Sequence, residues 1–139
     1  SIDRRAGEVV VSVVNRGAGH ALPTGSALRA VRLEVEFRDA SGAVLGGNQA
    51  DPAATFMRVL RDADGNAPVP PWRAAATARD TRLMPGERRT FAYPLPARAA
   101  VVTARLVYRR APAPILERLG IAAAGPFAPA EMARFELTL

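Results

Sequence analysis

The chain has 139 residues, 49% hydrophobic and 23% charged, enough for one domain with its own core and too few for two. It contains no cysteine, which excludes disulfides, thiolate metal sites and any Cys-x-x-Cys-His haem attachment within these residues. The formal charge is +6, and all 19 basic residues are arginine.

No apolar run approaches the ~20 residues that cross a bilayer, so membrane insertion is not expected. The arginine-, alanine- and proline-rich composition reads first as codon usage in a GC-rich genome. The distribution says more. Nine arginines between Arg73 and Arg110 stand against Asp80 and Glu87, a balance of +7 that leaves the remainder at −1. Such a stretch can steer an acidic partner or an anion at long range. Nucleic acid is not expected, because aromatic and basic interleaving, zinc fingers and a basic helix are all missing.

In chain order, Glu8-Val9-Val10-Val11-Ser12-Val13-Val14 is β-branched and short, a strand ending at the turn Asn15-Arg16-Gly17. The loop that follows, Gly17 to Gly25, holds the chain's single histidine, His20, among three glycines and Pro23. Glycine lets the backbone pass close to another group and proline stiffens it. An imidazole held there can face a metal, a cofactor or a partner, or it can tie the loop together by hydrogen bonds. Val31, Leu33, Val35 and Phe37 then alternate with Arg32, Glu34, Glu36 and Arg38, a strand with one buried and one wet face. On that wet face Glu34→Ala is expected to be nearly silent. Asp39-Ala40-Ser41-Gly42 is a turn, and Val44-Leu45 begins the return strand.

From Gly46 to Thr81 the pattern loosens around a short strand near Phe56, Met57, Val59 and Leu60. Asp62, Asp64 and Asn66 have the alternate spacing of a calcium loop. Gly65 falls two positions early for one and the bidentate Glu is missing, so this reads as a turn. Pro70-Pro71-Trp72 suits either an exposed docking loop or a cover for one end of the domain, the second being favoured. Met84-Pro85-Gly86-Glu87 is a tight turn, with alternation at Phe91, Tyr93 and Leu95 after it. Val102, Ala104, Leu106 and Tyr108 share a strand face, 114–119 is a short helix with Ile115, Leu116 and Leu119 on one face and Gly120 capping its end, and 134–139 is a last strand burying Phe135, Leu137 and Leu139. Met57 and Met84 read as core. Together these elements predict an all-β fold, an antiparallel immunoglobulin-like β-sandwich with one short helix near 114–119. Catalysis is not expected: Ser26 follows His20 in the same loop without a Gly-x-Ser-x-Gly elbow or an orienting acid, and no carboxylate pair stands out.

The run Val13-Val14-Asn15-Arg16-Gly17-Ala18-Gly19-His20-Ala21-Leu22-Pro23-Thr24-Gly25 resembles the cysteine-free C-terminal β-domain of periplasmic multihaem c-type cytochromes. Three later pieces agree in order: Asp39 to Gly42, Asp80-Thr81-Arg82-Leu83-Met84-Pro85-Gly86-Glu87, and Ala104 to Arg109. The resemblance implies a module, residues 1–139, of a larger multihaem cytochrome in periplasmic electron transfer. It holds no cofactor or metal of its own, and haem c lies in a neighbouring domain or partner. It further implies that His20 either ligates a haem iron of that neighbour or only contacts the haem domain. The expected partner-facing residues are Gly19, His20, Pro23 and Thr24 of the loop, Arg82, Arg88 and Arg89 of the basic stretch, and Trp72. The reading from a different class is a free-standing module binding an acidic protein or anionic ligand through the arginine-rich stretch.

Overall fold

Nine strands build two sheets in a computed structural model, which describes residues 1–47 and 52–139. The strands are β1 (Ile2–Arg5), β2 (Glu8–Val14), β3 (Ala30–Arg38), β4 (Val44–Gly47), β5 (Thr55–Arg61), β6 (Ala76–Asp80), β7 (Arg88–Pro94), β8 (Val101–Arg109) and β9 (Ala130–Thr138). The smaller sheet runs β1-β2-β7 and the larger β6-β5-β3-β8-β9, with β4 also paired to β3. Every pairing is antiparallel. The helix α1 (Ala113–Arg118) ends with Gly120 in a left-handed conformation, its N–H on the Glu117 carbonyl.

The core is the meeting of two period-two faces. Val9, Val11 and Val13 of the small sheet pack against Val31, Leu33, Val35, Phe37, Phe56, Val102 and Ala104 of the large one. Burying each valine, leucine or phenylalanine of this set contributes about 1.5–3 kcal/mol, so the fold rests on these two faces more than on any turn. The β3–β8 register sets Val31 opposite Tyr108, Leu33 opposite Leu106, and Phe37 opposite Val102. The antiparallel β-sandwich expected from the sequence is therefore the observed fold.

Four expectations need correction. Phe135 is on the core-facing side of β9, opposite Ala104, yet is 55% exposed. Three strands cannot roof six, so the inward side of the outermost strand stays open. Met84 is exposed, because it occupies the tip of its turn rather than a strand face. Leu119 is exposed as well, so α1 buries only Ile115 and Leu116 of the apolar face read for it. Trp72 is 66% exposed in a short 3-10 turn, Pro71–Arg73, and does not close the end of the sandwich. Within the loosely patterned span, residues 48–51 lie outside the described residues.

Candidate functional site

The strand directions gather several loops at one end of the sandwich. β2 and β8 finish there, β3 and β7 begin there, and β5 runs past it, since Met57 lies opposite Ala30 while the strand continues to Arg61. The loop 15–29 that carries His20 lies at this end, with the turn 81–87 beside it. The Trp72 turn is on the hairpin that extends beyond it on the β5–β6 side.

Asn15 organises the site, and sequence reasoning gave it no role beyond a turn. It is 3% exposed. Its Nδ2 donates to the His20 carbonyl at 2.9 Å and to the Leu83 carbonyl at 3.0 Å. Its backbone N–H donates to the Glu87 carbonyl, and its own carbonyl accepts from Gly86 N–H. Leu22 and Leu83 exchange a further reciprocal pair of backbone bonds at 2.8 and 2.9 Å. The histidine loop and the Met84–Glu87 turn are thus one hydrogen-bonded unit, and each of these bonds is worth about 0.5–1.5 kcal/mol net. An Asn between a valine strand and a glycine loop was the available signal.

The His20 side chain is exposed, with Nδ1 3.1 Å from the Ala21 carbonyl. A carbonyl only accepts, so in the tautomer that carries its proton on Nδ1 the ring donates to Ala21 and leaves the Nε2 lone pair free. That is the pattern of an imidazole prepared to ligate a metal through Nε2. Among the described residues no three His, Cys, Asp or Glu side chains cluster as a metal site. Without cysteine the chain has no covalent attachment point, so a haem c does not fit within these residues. Gly19 and Thr24 are exposed in the same loop, while Pro23, after a cis Leu22–Pro23 bond, is buried.

The arginines nominated from sequence have different fates. Arg82 grips Asp80 through Nε at 2.9 Å and Nη2 at 2.6 Å, and this hydrogen bonding holds the Asp80 carboxyl below its usual range. Arg89 donates to Glu87, to the Thr81 carbonyl and to the Arg82 carbonyl, and its guanidinium lies 5.6 Å from the centre of the Phe56 ring. Glu87 also accepts from Met84 N–H, the leading cause of its lowered pKa, with Arg89 second. Arg82 and Arg89 thus brace the turn that carries the histidine loop. Arg88 is exposed on the opposite face of β7. Elsewhere in the basic stretch, Arg73 faces Asp62, and Arg105 and Arg109 face Glu34. The +7 stretch is therefore distributed over both sheets and is not one patch. No helix is long and apolar enough to cross a membrane among the described residues.

No family model matches the sequence. No curated protein matches it either. Among solved structures, the chain is similar to a penta-haem cytochrome c552 from Thermochromatium tepidum, with 32% identity and a TM-score of 0.85. The match covers 100% of this chain and 38% of that one. The whole of this chain thus shares its fold with a portion of a multihaem cytochrome c, and spans less than half of that protein's length.

Proposed function

We propose that this chain is a non-catalytic accessory domain of a multihaem c-type cytochrome, working in extracytoplasmic, periplasmic electron transfer. It packs on the haem-bearing part through the end of the sandwich that carries His20. The observation that supports this most is the whole-length match, at 32% identity, to a portion of a penta-haem cytochrome by a chain with no cysteine to attach haem. The loop geometry agrees: Asn15 fixes the backbone at His20, and the exposed ring has its Nδ1 3.1 Å from the Ala21 carbonyl. Haem, when bound by the neighbouring part, supplies the one-electron chemistry. This chain's residues supply a contact surface and one imidazole.

The test is expression of the complete reading frame in a host that attaches haem c, followed by a haemochrome assay. A haem-bearing product is expected. A product that carries no haem and binds no cytochrome would overturn the proposal. In the haem-bearing product, His20→Ala separates the two roles of the ring. Axial ligation changes the visible spectrum and the reduction potential of one haem, because the axial ligand controls both. A packing contact leaves both unchanged and loosens the domain contact, detected as faster proteolysis between the parts.

A further inference from the structure

Where the histidine loop meets the end of β8 there is an open cleft of about 470 Å3 lined by Ser26, Arg29, Tyr108 and Arg110. The size lies within the ~300–1,000 Å3 of small-molecule sites. Each of the four side chains carries at least one hydrogen-bond donor, and no carboxylate lines the cleft. Among the described residues neither Arg29 nor Arg110 forms an ion pair, whereas five of the nine arginines between Arg73 and Arg110 do. Two uncompensated guanidiniums facing one space repel each other, and that arrangement favours an anion between them.

The cleft is also built to hold its shape. Arg29 bends back so that Nη1 donates to the Thr24 carbonyl at 3.2 Å. It can do so because residue 25 is glycine: a Cβ there would lie 2.7 Å from Arg29 Nη1, and φ is +80°. Tyr108 packs its ring against the core, opposite Val31, which fixes the direction of its phenol. The Ser26 hydroxyl accepts from Leu28 N–H, and its own proton remains available to a ligand. Each guanidinium offers the planar fork of N–H groups that matches a carboxylate's two oxygens.

We propose that this cleft is a carboxylate-binding site, with Arg29 and Arg110 gripping the carboxylate and Tyr108 and Ser26 donating the remaining hydrogen bonds. The site stands on the chain's own geometry and does not rest on the cytochrome reading. Its carboxylate comes either from a small free acid or from a group displayed by a docked partner.

The test uses the 139-residue chain and succinate as the probe, followed by two-dimensional NMR at fixed ionic strength with chloride as the matched control. Saturable shifts confined to Ser26, Arg29, Tyr108 and Arg110 are expected. Arg110→Gln, an exposed position that the fold does not use, should weaken binding about tenfold, and Tyr108→Phe by a smaller factor. Shifts that never saturate, that chloride reproduces, or that Arg110→Gln leaves intact would overturn the site. A second arm identifies the source. If succinate competes with a haem-bearing partner for the chain, the carboxylate is the partner's. If it binds without competing, the ligand is a free acid. A chain that binds succinate but no cytochrome leaves the site standing and removes the docking proposal alone.

Discussion

At Glu34 a carboxylate on the outer face of the large sheet meets Arg32 at 2.7 Å, Arg105 at 3.2 Å and Arg109 at 3.9 Å. Arg105 is its direct cross-strand partner on β8. Alternation alone marks this as a wet position where alanine would be silent, and the structure corrects that expectation. Its side chain is only 14% exposed, and it is the common counter-ion of three cations. Glu34→Ala should therefore cost about 1–2 kcal/mol, the range for hydrogen bonds to a charged group reduced for partial solvent screening. Leu33, one residue earlier and 1% exposed, points into the core. Leu33→Ala should cost about 2–5 kcal/mol, since it removes buried methyls and leaves a cavity. Urea denaturation of both variants measures the difference. A larger loss at Glu34 than at Leu33 would mean the inward and outward faces of β3 are exchanged, and a silent Glu34→Ala would mean water serves the three guanidiniums equally well.

Between the strands, four carboxylates close turns, and each has its pKa held below the ordinary value. At Asp39 the leading cause is the Ser41 hydroxyl, at Asp62 the Asn66 side chain, at Asp80 Arg82, and at Glu87 the Met84 N–H. A carboxyl with a lowered native pKa binds fewer protons folded than unfolded. Its stabilisation is complete above the unfolded value and is lost as pH falls through the native one. The domain should hold its thermal midpoint from pH 7 down to about 5, then lose it progressively below the ordinary values of 3.8 for Asp and 4.5 for Glu. Calorimetry across that range checks this, and a midpoint unchanged to pH 3 would contradict it. Glu87→Gln should also flatten part of the fall. The same elements show what sequence could reveal. The Asp39 and Met84 turns were legible because each carries its own acceptor and a glycine within a few residues. The buried faces of β2, β3 and β8 were legible from period two. Strands β1 and β6 were not, because edge strands with little buried surface have no apolar period to read. Asn15 was not, because its bond to Leu83 spans 68 residues. Exposure at Phe135 depended on the width of the opposing sheet, which no local pattern records.

For the molecule as a whole, the charge is +6, and the fold decides where it acts. Arg32, Arg105 and Arg109 gather around Glu34, while Arg82 and Arg89 are tied to Asp80 and Glu87. At the end that carries His20, by contrast, Arg16, Arg29, Arg88 and Arg110 are exposed and outside any ion pair among the described residues. A partner that docks there should feel an attraction that acts before contact and therefore shows in the association rate. Raising ionic strength shortens the Debye length from ~30 Å at 0.01 M to ~8 Å at 0.15 M, so the rate should fall steeply over that range. The dissociation rate should change much less. Stopped-flow mixing of the chain with a haem-bearing partner measures both rates. Position then discriminates between steering by this end and steering by net charge alone. Arg16→Glu and Arg5→Glu change the total charge equally, but Arg5 lies at the far end of β1 and β2, at the register position opposite Glu8. Arg16→Glu should slow association several-fold more than Arg5→Glu. Equal slowing would move the docking surface away from the histidine loop, and an association rate indifferent to salt would remove electrostatic docking altogether.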